Sequence, residues 1–187
     1  MNYENYIKEL MSEKRYIHSL GVRDEAMRLA KLYGADLEKA YLAGLLHDVT
    51  KDFTYEQSCA LAEKYGVQLE EIDKVEHKLV HGHIGAYYVK NELGIDDDEI
   101  FEAIYYHTTS KAGMRLLTKI IYIADIIEPN RDYNGVETLR ALAYSDLDKA
   151  VFNGLRNTII KLTNNGRMLH TETVNAMNDL IIKGCKL

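Results

Sequence analysis

A chain of 187 residues can bury a sizeable core as one domain, and 47% hydrophobic with 28% charged residues is an ordinary globular balance. A formal charge of -6 without a basic patch or tail argues against partners such as nucleic acid or an anionic membrane. Cys59 and Cys185 form no metal or redox spacing, the opening Met1-Asn2-Tyr3-Glu4-Asn5 lacks signal-peptide character, and no run would span a bilayer, so a cytoplasmic protein with reduced thiols is expected.

The single proline, Pro129, and apolar residues recurring at three and four positions predict an all-α fold. A short helix is expected over 3–11, then a longer one from Ser12 to Tyr33 with Gly34 as its stop. Ile17, Leu20, Ala26, Leu29, Ala30 and Tyr33 form its core-facing stripe, with His18 on the margin. Asp36 opens a helix apolar almost all round, at Ala40, Leu42, Ala43, Leu45 and Leu46, which carries His47 and Asp48 into the interior. Thr54 and Gln57 make a capping-box pattern for a helix closing at Gly66. The irregular charged stretch 67–78 reads as a short helix plus loop, with His77 in solvent.

His81-Gly82-His83-Ile84-Gly85 leads into a helix that stops at Gly94, and its glycines signal close approach of a helix or a ligand. Asp96, Asp97, Asp98 and Glu99 suit the N-cap and first turn of a helix over 99–106 better than a metal site. That helix ends at His107, and 108–113 is a polar loop. The most apolar helix, 114–127, contains Asp125, and an unpaired buried carboxylate there would cost several kcal/mol, so something cationic must answer it. Arg131 follows just beyond the helix end. A short helix to Ala143, a long one over 145–164 with Val151, Leu155, Ile159 and Leu162 inward, and an amphipathic one over 171–182 complete the chain. No repeat or linker divides it, so a single domain over 1–187 is expected, with metal-binding helices over 12–128 and helices over 136–183 completing the core. A homodimer is compatible with this reading but is not needed to account for the apolar positions.

Adjacent residues on a helix point about 100° apart, so His47 and Asp48 meet a single metal ion only awkwardly. A carboxylate can bridge two ions and an imidazole cannot, which makes Asp48 the natural bridge. His18, His47, Asp48, His81, His107 and Asp125 form an ordered series of candidate ligands, each at the end or inner face of a predicted helix. One ion would take His18, His47, Asp48 and Asp125, the other Asp48, His81 and His107. Mixed imidazole and carboxylate donors suit iron, manganese or zinc. Two such ions can hold a bridging hydroxide and clamp a phosphoryl group, so an anionic small substrate remains compatible with the negative chain.

This order of ligands resembles the HD superfamily of metal-dependent phosphohydrolases. More narrowly, Arg15-Tyr16-Ile17-His18, Gly44-Leu45-Leu46-His47-Asp48-Val49-Thr50-Lys51, Tyr106-His107-Thr108 and the stretch from Tyr122 to Arg131 with Ala124-Asp125 resemble the YqeK family. The resemblance implies a single-domain HD fold with a buried dinuclear site, most readily of iron. It also implies symmetrical hydrolysis of diadenosine tetraphosphate to two ADP, by a metal-bridging hydroxide attacking the β-phosphorus. Lys51 is the candidate for stabilising the leaving phosphate, Arg131 for forking onto a phosphate and Thr108 for donating a hydroxyl, with Asp48 and Asp125 essential to catalysis. His170 and Thr173 match the family's nucleotide-covering segment loosely. Ser110-Lys111 stands where the family has Gly-Arg, which keeps the charge and loses the fork. His81 inherits the ligand role, His83 is read as a helix-face residue, with a support behind the metal or a substrate contact as the alternative, and Arg15 as the partner of a core carboxylate. Another HD-type nucleotide phosphohydrolase, and a noncatalytic metal-dependent nucleotide sensor, are the alternatives.

Overall fold

In a computed structural model, which describes residues 2–186, the chain folds as α1 (Tyr3–Leu10), α2 (Glu13–Tyr33), α3 (Leu37–Leu46), α4 (Tyr55–Tyr65) and α5 (Val80–Glu92). There follow α6 (Asp98–Tyr105), α7 (Leu116–Ile127), α8 (Val136–Ala143), α9 (Leu147–Asn164) and α10 (Thr171–Ile182), with no strand among the described residues. Helix α7 is the central post. Leu117, Ile120, Ile121, Tyr122, Ile123, Ala124 and Ile127 are buried around most of its circumference, because α2, α3, α6, α8 and α9 all pack on it. Each fully buried isoleucine there contributes about 1.5–3 kcal/mol relative to exposure. No helix is long and apolar enough to cross a membrane among the described residues.

Local chemistry sets most helix ends. Asp36 caps α3 by accepting from the Lys39 amide, and Thr54 and Gln57 form the reciprocal capping box of α4. Asp97 accepts from the Glu99 and Ile100 amides at 2.9 and 3.0 Å, so the acidic run is a cap. Its carboxylate also meets Lys39, tying α6 to α3.

Three expectations are corrected. Stretch 67–78 forms successive turns, not a short helix, because Asp73 accepts from the Glu70 amide and competes locally with helical bonding. His77 is in solvent as expected, stacked on Tyr55. On α2, Ala26, Leu29 and Ala30 of the apolar stripe are buried as expected, but Ile17 is 47% exposed, while His18 and Val22 are buried. Loop 108–113 is polar yet partly interior, with Thr109 and Ser110 buried and Ser110 at φ 58°.

Helices α2 and α3 touch most closely at Gly44, where an added Cβ would lie 2.8 Å from the Arg23 Cα. Backbone cannot yield as a side-chain tip can. Gly44→Ala is expected to destabilise the fold by about 1–3 kcal/mol, measured by urea unfolding; an unchanged midpoint would show that the pair can separate freely.

Candidate metal centre

Helix α3 ends at Leu46, and 47–53 continues as tight turns in which the amides of Val49, Lys51 and Phe53 bond to carbonyls three residues back. The turn lies wholly inside from Ala43 to Thr50. His47 and Asp48 therefore face one interior point, with His47 Nε2 3.5 Å from Asp48 Oδ2. From α2, His18 Nε2 comes 3.7 Å from the same oxygen and 3.0 Å from Asp125 Oδ1. The other Asp48 oxygen faces away, 2.9 Å from His81 Nε2 and 3.4 Å from His107 Nε2. All six side chains proposed as ligands thus meet in one place. Gly82 permits this on the α5 side, since a Cβ there would press to 3.1 Å on the Tyr105 carbonyl and 3.3 Å on the His107 ring.

Proton positions follow from the outer ring nitrogens. Nδ1 of His47 donates to the Gly44 carbonyl at 2.8 Å, that of His81 to Lys78 at 2.6 Å and that of His107 to Ile104 at 2.7 Å. His18 Nδ1 donates to Glu128 Oε1 at 3.1 Å. In the neutral tautomers so assigned, every inward Nε2 carries a bare lone pair. His18 Nε2 and His47 Nε2 are buried without hydrogen-bond partners, and the Nε2 atoms of His81 and His107 lie 2.9 Å apart. Protonating His81 would not answer this arrangement readily: burial and the Lys51 ammonium lower its pKa to about 3. For Asp48, burial is the largest influence and pushes upward, but with the facing imidazoles protonated the charge of His47 and hydrogen bonds from His107, His47 and His81 would hold the carboxyl well below its ordinary value. Burial likewise pushes Asp125 up, and His18 and His47 together with Arg131 pull it down. Converging bare acceptors of this kind fit a divalent metal ion. His18, His47 and Asp125 place donor atoms within 4.8 Å of one another, as do His47, Asp48 and His107.

Three cations border the centre. Arg15 hydrogen-bonds Asp48 through Nη1, so its core-carboxylate partner is the central one. Lys51 Nζ lies 3.0 Å from His81 Nε2 rather than on Asp48, and burial lowers its pKa despite the pull of Asp48 and Asp125. Arg131 grips Asp125 twice, at 2.7 Å from its carbonyl through Nε and 2.5 Å from Oδ1 through Nη2, so two of its donors are held by a backbone carbonyl and a carboxylate.

The remaining candidates sit farther out. Thr108 Oγ1 is buried without a partner next to His107. Thr173 donates its hydroxyl to the Thr109 carbonyl at 2.8 Å, and so holds the loop that carries Thr108. His170 caps α10, accepting from the Glu172 amide at Nδ1, and lines a separate cavity of about 580 Å³ with Glu70 and Met168. His83 is outside the metal cluster and is not an exposed helix-face residue; it is buried, 3.5 Å from Asp73 and stacked on Tyr105.

Sequence reasoning missed Glu128 and Arg140. Glu128 is 2% exposed and joins His18 to Asn130, whose amide and side chain donate to Oε2. Arg140, on α8, donates to the carbonyls of Ile127, Glu128 and Arg131 and so pins the turn that positions Glu128. A carboxylate directly after the most apolar helix was the available signal for Glu128; none marked Arg140.

Helices enclosing a paired His-Asp and three further histidines define a metal-dependent hydrolase centre of the HD type. Residues 15–130 match the HD domain family model, and the chain belongs to that family. It is 40% identical to the symmetrical bis(5'-nucleosyl)-tetraphosphatase of Halalkalibacterium halodurans, over 95% of this chain and 94% of that protein. It is 37% identical to the protein of the same name from Bacillus subtilis, over 94% of each. A crystal structure from Clostridium acetobutylicum, described as a predicted HD superfamily hydrolase involved in NAD metabolism, superposes with a TM-score of 0.94 at 43% identity. That match covers 97% of this chain and 96% of the Clostridium chain.

Removing a carboxylate that orients a ligating imidazole lowers metal affinity by about 10–100-fold. Glu128→Ala is expected to do so in a competition titration with a metal-binding dye; wild-type affinity in the variant would free His18 from any dependence on Glu128.

Proposed function

We propose that the chain hydrolyses diadenosine tetraphosphate symmetrically to two ADP. The observation that carries this reading is Asp48, whose two oxygens face two separate sets of imidazoles. The similarity to the two symmetrical tetraphosphatases supplies the substrate. His18, His47, Asp48 and Asp125 would hold one ion, and Asp48, His81 and His107 a second. These donors suit iron, manganese or zinc, and the family resemblance of the ligand order favours iron. Such ions supply positive charge against the nonbridging phosphate oxygens and make a water nucleophilic at neutral pH.

The chain's own groups do the rest. Water adds across the central anhydride: its oxygen joins the β-phosphorus of one half, the bridging oxygen leaves with the other ADP, and a proton is released. Lys51, beside His81 at the edge of the centre, places its ammonium where charge grows on the departing phosphate. Thr108, with its unpartnered hydroxyl, donates to a phosphate oxygen. Arg131 acts by holding Asp125 and offers its remaining nitrogen, Nη1, outward. His170 and the cavity it lines, between 68–72 and 168–171, receive the first nucleoside. Thr173 serves that end by fixing the loop before it. Exclusion of bulk water by the buried turn 43–50 strengthens each of these charge interactions. The description of the Clostridium protein keeps a second reading in view, in which the same centre cleaves another nucleotide anhydride.

Metal-loaded protein incubated with diadenosine tetraphosphate is expected to give ADP as the sole nucleotide by mass spectrometry. ATP with AMP would mean asymmetric cleavage, and tight binding without turnover would mean a sensor. Asp48→Ala is expected to lose both activity and bound metal. Lys51→Ala should retain metal while kcat falls by about 100-fold; unaltered kinetics would remove Lys51 from the reaction.

A further inference from the structure

On the His18 side of the centre, the first turns of α2 and the turn 128–131 enclose an open cleft of about 510 Å³, within the usual size of small-molecule sites. Lys14, Arg15, Ile17, His18, Asn130 and Arg131 line it. We infer that this cleft seats the second nucleotide of the substrate, the half across the central anhydride from the His170 cavity. The inference rests on the hydrolase reading above and extends it to a site for that second half.

Four features point to this occupant. His18 and Arg131 belong to the cleft and to the metal cluster at once, so a phosphate chain lying across the centre enters the cleft without a gap. Three of the lining side chains are cationic, whereas the two acidic ones are accounted for. Glu128 is engaged by His18 and Asn130, and Glu13 stands in the first turn of α2, where negative charge favours the helix. Arg15 Nε is buried with no hydrogen-bond partner although Nη1 of the same guanidinium holds Asp48, which leaves a fixed donor for a phosphate oxygen beside the carboxylate. Finally, Ile17 is 47% exposed immediately next to buried His18, an apolar shelf among charged groups. A purine face covers such a shelf while its phosphates reach Arg15 and Arg131; inorganic phosphate would leave it bare.

Symmetrical cleavage makes the two products identical, so each should bind either seat. The cavity at His170 and the cleft at Ile17 then predict two ADP per chain in equilibrium dialysis of the metal-loaded protein, and one for Ile17→Glu. A single ADP on the wild-type chain overturns the inference. Kinetics give an independent test with adenosine 5'-tetraphosphate, whose second half is pyrophosphate and carries no nucleoside. Ile17→Glu is expected to lower kcat/KM for diadenosine tetraphosphate about tenfold relative to that for adenosine 5'-tetraphosphate, and Ile17→Met to restore the ratio. Equal losses on both substrates, or no loss on either, overturn it. If the wild-type protein splits neither compound, the hydrolase reading falls, and the dialysis still decides the cleft by two ADP or one.

Discussion

Crowding of lone pairs is the constraint on which this structure turns. The inward nitrogens of four imidazoles and the carboxylates of Asp48 and Asp125 occupy a small volume from which water is largely excluded. Repulsion among such groups is many times stronger there than in water. Folding resolves half of the difficulty by tying each outer nitrogen to an acceptor, which fixes the ring and its tautomer. A bound cation resolves the other half. The helices around α7 are the means by which residues far apart in sequence are forced into that quarrel and kept there.

Charge is distributed accordingly. A chain with a net charge of -6 concentrates Arg15, Lys51 and Arg131 around its most acidic interior point, so that the mouth of the centre differs in sign from the average surface. An anionic substrate is drawn to such a mouth despite the overall repulsion. Two of the three cations already lean on the centre's carboxylates. Their charge compensates the cluster.

Much of this was readable before any coordinates. Helix ends marked by Gly34, Thr54 with Gln57, Asp97 and Gly66 fell where local hydrogen bonding demands, because caps depend on only a few neighbouring residues. Asp125 announced the centre by interrupting α7, and the glycines near His81 announced the approach of α6. The failures have a common cause. The face of α2 that points inward is chosen by His18 and its partners, so hydrophobic periodicity misplaced Ile17. Stretch 67–78 turns away from a helix because the Asp73 side chain takes up the Glu70 amide, a local competition that apolar periodicity does not register. The hold of Arg131 on Asp125 was not legible, because only tertiary structure shows the guanidinium folded back on the helix it follows. Arg140 offers carbonyl contacts, which leave no trace in residue type.

The stretch recognised as an HD domain stops at residue 130, yet one guanidinium from α8 clasps three carbonyls across that border. The two segments are therefore mechanically one part. A chimera that exchanged the C-terminal helices with those of a relative would inherit a loosened hinge beneath Glu128 unless the incoming sequence brought its own clasp. The functional unit is thus longer than the family boundary suggests, and shuffling experiments should cut beyond α8 rather than at the end of α7.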